Sequence, residues 1–342
     1  MAGAETKSRK NARLEDIALE AGVSISTVSR ALKDHPAVKR RTKQDIWRIA
    51  RAHDYDFGGA MPNGPVGAEA TIAIIVPAPQ AREARVADPF FLELLAGITE
   101  AARERDVDVI ISHVFPRSAQ DLDFAMSTSR ATGMIFIGQS SLHEAFNAHA
   151  DSDDRFVVWG AEFPDARYCS IGSDNVAGGR RAASHLLRLG RQRILFLGDT
   201  EAPEAEQRHR GYRQALENAG IALDDSLVLP AHFDVHSGEA TVRSAIDRGI
   251  EFDGIFAASD LIAIGAIRAL TKTGRKVPED VSVVGYDNIP ASRLVTPRLT
   301  TIDQDTNLAG RMLVSKLIDT QGGQATSERL ETSLMIRESC GG

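Results

Sequence analysis

Apolar residues recur near the N-terminus with helical spacing. Leu14, Ile17, Ala18 and Ala21 stand at i, i+3, i+4 and i+7, one face of a first helix. Gly22 has the backbone freedom that ends a helix, Val23 is an apolar plug, and Ser24 is a good N-cap for a second helix. In that second helix Val28, Ala31 and Leu32 face inward and Ile25, Ser26, Ser29 and Arg30 face outward. Small side chains at Ala18 and Ala21 let the two helices approach closely. This is the build of a helix-turn-helix, whose second helix enters the DNA major groove. Thr42 with Asp45 resembles a capping box, Asp standing where Glu or Gln is usual. It opens a third helix over 43–53, with Ile46, Ile49 and Ala50 on one face.

From Thr71 the pattern changes to short apolar runs alternating with amphipathic stretches. It predicts strands at 71–76, 108–112, 133–138, 156–160, 193–198, 254–257 and 281–285. Helices are expected at 90–105, 118–130, 175–189, 208–219, 237–247 and 260–273. Strands with no polar face, alternating with helices, indicate parallel sheets covered on both sides. The fold class is therefore an all-α helix-turn-helix head on an α/β core, with room for two such sheets.

Charge sharpens this division. The chain holds 40 Lys+Arg and 47 Asp+Glu; its first sixty residues hold 12 and 8 of them, leaving 28 and 39 for the rest. A basic head on an acidic body is the asymmetry of a DNA-binding module joined to a separate domain. The composition, 43% hydrophobic and 25% charged, supports a large core. Cys169 and Cys340 are the only cysteines and lack metal-ligand spacing, which fits a reducing compartment without a disulfide framework. Residues 1–12 read as a basic disordered tail with no signal-peptide core, and no run reaches membrane-spanning length. The expectation is a soluble, cytoplasmic, nucleoid-associated protein.

Residues 16–30, Asp-Ile-Ala-Leu-Glu-Ala-Gly-Val-Ser-Ile-Ser-Thr-Val-Ser-Arg, resemble the head of the LacI (lactose repressor) family of transcription regulators nearly residue for residue. The resemblance extends over the α/β region. It implies a two-lobed, periplasmic-binding-protein-like core with crossing connections, a homodimer, and a pseudo-palindromic operator matching the two-fold protein. The boundaries it implies are a tail at 1–12, a head at 13–55, a linker at 56–70 and a core at 71–342. The first lobe takes in about 71–173 and 305–330, the second about 174–304 and 331–339. DNA contacts fall on Ser24, Ile25, Ser26, Thr27, Ser29 and Arg30. One departure stands out. Where the family usually carries a hinge helix of the form Asn-x-x-Ala-Arg-x-Leu, residues 56–67 hold four glycines and two prolines, composition that reads as a flexible linker.

The resemblance also implies an effector site between the lobes, on residues at strand ends and loops. Asp174 and Asn175 open the helix at 175–189, and Asp174 doubles as an N-cap. Arg208 stands where family members place an arginine on the effector, and Phe233 matches an aromatic that stacks on sugar faces. Phe90 and Phe91 lie in a family loop whose second aromatic reaches the ligand. Gln139, Ser259, Asp287 and Gln304 complete the set. Each has a structural alternative: Asp260 beside Ser259 reads as an N-cap, Asp287 as a turn residue, Phe90 or Phe91 as core. Together, planar polar groups and an aromatic face suit a neutral polyhydroxylated ligand such as a sugar.

Phosphate-loop, nucleophile-elbow and His-Glu-x-x-His motifs are absent and the nine histidines are scattered, so neither an enzyme nor a cofactor or metal is expected. Two other readings compete with a sugar-controlled repressor. One is a sugar-binding transport protein with a vestigial head, which the basic head and lack of a signal segment oppose. The other is a regulator whose core senses a protein partner, which calorimetry with a sugar panel separates.

Overall fold

The computed structural model describes residues 14–32, 38–39, 42–43, 46, 49–50, 71–77, 88–319 and 326–341. They fall into two units, a head and a core. The basic tail, the linker at 56–70, Asp45 and the Leu32 side chain lie outside them.

In the head, α1 (Leu14–Ala21) and α2 (Ile25–Leu32) form the helix pair. Gly22 takes φ +63°, and the Val23 N–H reaches back to the Ala18 carbonyl at 3.0 Å, closing α1 as a left-handed C-terminal residue does. Ser24 opens α2: its Oγ accepts from the Thr27 N–H at 3.2 Å. Ile17, Ala18, Val28 and Ala31 pack with Val38, Ile46, Ile49 and Ala50 in one small core. The predicted capping box at Thr42 is corrected. Thr42 is already helical, and the Lys43 N–H donates to the Lys39 carbonyl at 3.0 Å. An N-cap must have non-helical backbone, so Thr42 is not the cap of this helix.

The core is built on two six-stranded sheets. The first contains β1 (Thr71–Ile75), β2 (Asp108–Ile111), β3 (Gly133–Ile137), β4 (Phe156–Trp159), β5 (Ser170–Ser173) and β11 (Glu328–Leu330), in the order β11-β5-β4-β3-β1-β2. The second contains β6 (Ile194–Leu197), β7 (Val228–Leu229), β8 (Gly254–Ala257), β9 (Ser282–Asp287), β10 (Thr300–Asp303) and β12 (Ser333–Met335), in the order β12-β10-β9-β8-β6-β7. β3 pairs in parallel with β1 and β4, β5 with β4 and β11, β6 with β7 and β8, and β9 with β8 and β10, while β12 runs antiparallel to β10. Strands β3, β4, β5, β6 and β8 are buried along their whole length, as central strands covered on both faces must be.

Helices α3 (Pro89–Glu104), α4 (Ala119–Thr128) and α5 (His143–Ala150) belong to the first sheet, and α6 (Asn175–Arg188), α7 (Pro203–Asn218), α8 (Val235–Asp247) and α9 (Asp260–Lys272) to the second. α10 (Thr306–Asp319) returns to pack on α3. The chain leaves the first sheet after Ser173, re-enters it after Asp303, and leaves again after Leu330. Helices α6 and α7 touch almost backbone to backbone. A Cβ on Gly179 would stand 2.1 Å from the Arg208 carbonyl oxygen, and one on Gly211 2.1 Å from that of Val176. Only glycine permits this approach, and it fixes where Arg208 enters the core. The sequence-predicted start of α7 at 208 is five residues late, because the polar turn Pro203–Gln207 has no apolar face to betray it.

Candidate functional site

The connections after β5 and β10 bring polar side chains together. Ser173, the last residue of β5, donates through Oγ to Gln304 Oε1 at 2.6 Å. Gln304 Nε2 donates to Asp287 Oδ1 at 2.6 Å. Arg208 Nη1 lies 3.6 Å from that same carboxylate oxygen, and its Nε donates to Asn175 Oδ1 at 2.9 Å. A longer contact of 3.4 Å from Ser173 Oγ to Asn175 Oδ1 closes the ring. Four of the predicted effector residues, Asn175, Arg208, Asp287 and Gln304, thus join with Ser173 in one circuit of hydrogen bonds and an ion pair, placed at two of the three changes of sheet.

Arg208 is 5% exposed. It is held further by the Ala258 carbonyl, 2.5 Å from Nη1, and by the Tyr286 ring, whose centroid is 3.7 Å below the guanidinium carbon. A buried cation needs this: an opposite charge, hydrogen bonds and a π face offset its lost hydration. The carboxylate partner is itself under stress. Asp287 is raised to about 7: burial pushes it up most, the Arg208 charge pulls it back, and the Asp88 charge pushes it up again. Asp260 behind it is fully buried and raised well above its usual range, first by burial and then by the Asp287 charge. Thr301 Oγ1 donates to Asp260 Oδ1 at 2.5 Å and the Ile289 N–H to Oδ2 at 2.9 Å.

Backbone strain sits at the same place. Asp287 has φ +114° and Asn288 φ +56°. Non-glycine residues in this region cost on the order of 1–3 kcal/mol each and persist where the surroundings over-determine them. Here Asn288 donates to Asp303 Oδ1 at 2.9 Å and accepts from Arg337 Nη2 at 2.5 Å.

A pH effect follows. With a folded pKa near 7 against an ordinary value near 3.8, Asp287 keeps its proton in the folded chain where the unfolded chain has lost it. Its contribution to stability is complete below about pH 4, falls as pH rises, and is gone above about pH 7. Subtracting the stability–pH curve of Asp287→Asn from that of the wild type should isolate a downward slope between those limits. A flat difference curve would contradict the raised pKa.

The other predicted residues lie apart from the circuit. Asp174 caps α6, accepting from the Ala177 N–H at 2.9 Å. Ser259 is buried and caps α9, its Oγ accepting from the Ile262 N–H at 3.3 Å. The N-cap assigned to Asp260 therefore belongs to Ser259: Asp260 is the first helical residue, and its carboxylate turns inward. Gln139 is buried beyond β3, donating to the Ala161 carbonyl at 2.6 Å and Tyr168 Oη at 2.9 Å, while its Oε1 has no partner among the described residues. Phe90 and Phe91 are half-buried at the start of α3, with Phe90 6.0 Å from the Trp159 ring. Phe233 is half-buried ahead of α8 against the second core. Ser173 and Tyr286 escape sequence reasoning, one reading as a strand end and the other as core.

On the head, Ser24, Ile25, Ser26 and Arg30 are exposed and Thr27 and Ser29 half-exposed, while Val28 and Ala31 are buried. As for metals, the one group with convergent ligand atoms among the described residues is His143, Glu144 and Asp165. His143 is already hydrogen-bonded to Tyr168 at 2.9 Å and Asp165 at 3.2 Å. Among the described residues no helix is long and apolar enough to cross a membrane.

Known proteins match this chain in sequence and in fold. Residues 13–56 match the bacterial regulatory proteins, lacI family, and residues 183–340 match a periplasmic binding protein-like domain. The HTH-type transcriptional regulator CelR of Thermobifida fusca is 32% identical over 97% of this chain and 99% of that protein. The HTH-type transcriptional repressor CytR of Escherichia coli K12 is 30% identical over 97% of each. Among solved structures, a CelR–cellobiose complex superimposes with TM-score 0.68 at 29% identity, covering 96% of this chain and 100% of that one. A Lac repressor dimer bound to operator and the anti-inducer ONPF does so with TM-score 0.77 at 26% identity, covering 97% and 99%.

Proposed function

The chain belongs to the LacI family and is a DNA-binding transcription regulator, and from that premise we propose a repressor controlled by a small neutral carbohydrate bound in its core. The observation that carries the ligand class is the circuit Asn175–Arg208–Asp287–Gln304. Its planar amide, guanidinium and carboxylate groups can exchange hydrogen bonds with hydroxyls in the plane of a sugar ring. Arg208 lies 3.6 Å from Asp287, which is charged above about pH 7 and matches it there, so in a test run above that pH the site has no spare cation to favour an anionic ligand.

Around the circuit, Asp174, Ser259 and Gln139 supply further polar contacts, and Phe90, Phe91 and Phe233 supply apolar faces. Ser24, Ile25, Ser26, Thr27, Ser29 and Arg30 meet the operator. The division of labour is a head at 13–55, a linker at 56–70 and a core at 71–342, with lobes at 71–173 plus 305–330 and 174–304 plus 331–339. Two copies bind a pseudo-palindromic operator in the cytoplasm, at the nucleoid, without catalysing a reaction. The CelR–cellobiose neighbour makes a β-linked disaccharide a good first probe.

The experiment is calorimetric titration of the full chain with neutral mono- and disaccharides, cellobiose included, beside sugar phosphates. One neutral sugar should bind and no phosphorylated one should bind more tightly. Binding of none, or of a sugar phosphate alone, would contradict the proposal.

A further inference from the structure

We propose that Ile25 reads the C5-methyl group of a pyrimidine, so that each operator half-site carries a thymine whose methyl group the protein requires. The inference rests on the reading of α2 as the helix that enters the major groove, and it names the chemistry that helix seeks there.

The first turn of α2 is unusual in how its polar groups are spent. Ser24 Oγ lies 2.9 Å from Ser26 Oγ and 2.8 Å from Thr27 Oγ1, and accepts from the Thr27 N–H at 3.2 Å. Three hydroxyls therefore satisfy one another and the helix end before any DNA arrives. A hydroxyl so engaged gains little by turning to a base edge, because a hydrogen bond formed there replaces one already made. Ile25, between them in sequence, is 47% exposed, although the small core beneath has taken up Ile17, Val28 and Ala31. Its branched apolar surface has no polar function to perform.

Only one group on a base edge in the major groove is apolar, the C5-methyl of thymine, shared by 5-methylcytosine. The rest of the code is donors and acceptors. Ile25 therefore discriminates by burying that methyl and rejects positions where a bare donor or acceptor would lose its water against an isoleucine. Arg30, one turn further along and exposed, is left for a donor-seeking edge such as guanine O6 and N7.

The test uses full-length protein and a duplex recovered by selection from random-sequence DNA. Each thymine is replaced in turn by deoxyuridine, which lacks only the methyl, in both half-sites, and affinity is measured by fluorescence anisotropy at fixed salt. At one thymine position the wild type should lose about fourfold per half-site, or roughly fifteenfold for the pair, the affinity of burying one methyl group in each. Ile25→Ala should bind the thymine and deoxyuridine duplexes equally. Leu19→Ala, which trims a side chain 86% exposed on α1, should keep the full methyl effect. Two results overturn the proposal: no thymine position sensitive to methyl removal, or a methyl effect that survives in Ile25→Ala. Recovery of no preferred sequence would instead defeat the reading of α2, and this inference with it.

Discussion

Arg208→Ala should destabilise the protein by about 3–5 kcal/mol, the usual cost of leaving one partner of a buried ion pair alone. The Asp287 carboxylate would keep Gln304 at 2.6 Å but lose the one cation that pulls its pKa down. It would also lose the guanidinium that joins it to Asn175. The damage should depend on pH. Below about pH 6 Asp287 can escape by staying protonated, since its pKa is near 7 even with Arg208 present. At pH 8.5 that escape costs more, so the loss should be larger there. The double variant Arg208→Ala/Asp287→Asn should recover part of the stability at pH 8.5 and little at pH 5.5, a coupling that denaturant melts on the four proteins would measure. Equal losses at both pH values, with no recovery in the double variant, would mean that Asp287 carries no charge in the folded protein.

Gly211→Ala has the second large expected effect, and its cause is steric. The added Cβ would meet the Val176 carbonyl oxygen at 2.1 Å and the Arg180 nitrogen at 2.6 Å. Both are backbone atoms, so no side chain can swing away and α6 must part from α7. Overpacking of this kind costs about 1–3 kcal/mol, and rigid backbone on the far side points to the upper end. For a core of this size about 3 kcal/mol corresponds to a fall of roughly 6–12 °C in the melting temperature. Because Asn175 opens α6 and Arg208 lies on α7, separating the helices also lengthens their 2.9 Å bond, so carbohydrate affinity should fall with stability. Gly220→Ala makes a useful contrast. Its Cβ would meet nothing within 4 Å, and its φ of +72° limits the cost to backbone strain, so it should leave carbohydrate affinity unchanged.

These two variants show what could be read in advance. The helix-turn-helix was legible because its signals are local: a periodic apolar face, a glycine at the turn and a serine cap all lie within nineteen residues. The apolar strands were legible for the same reason. β7, β11 and β12, of two or three residues each, are too short to show a period. α10 was hidden by Gly310, a poor helix former by propensity. The fold requires glycine there, because a Cβ would stand 2.3 Å from the Gly97 backbone.

The circuit is a different case. Ser173 and Gln304 are 131 positions apart, and nothing local in either segment says that they meet. Asn175, Arg208, Asp287 and Gln304 are legible through family resemblance rather than spacing. Ser173 and Tyr286 had no such support. The Ser259–Asp260 pair is ambiguous in sequence because either side chain makes a good N-cap. What decides between them is Thr301, forty-one positions on, which donates to Asp260 and draws its carboxylate inward.

A carbohydrate in the core should control DNA binding by the head. The direct measurement is operator affinity by fluorescence anisotropy, on the duplex obtained by selection, with and without a saturating amount of the sugar that calorimetry identifies. Coupling between two sites is typically 5–150-fold. Operator affinity should change by at least about fivefold, with the same factor appearing in sugar affinity when operator is bound, as reciprocity demands. Arg30→Ala should lower operator affinity and leave sugar binding intact. Operator affinity identical with and without sugar, while calorimetry shows the site filled, would contradict this control.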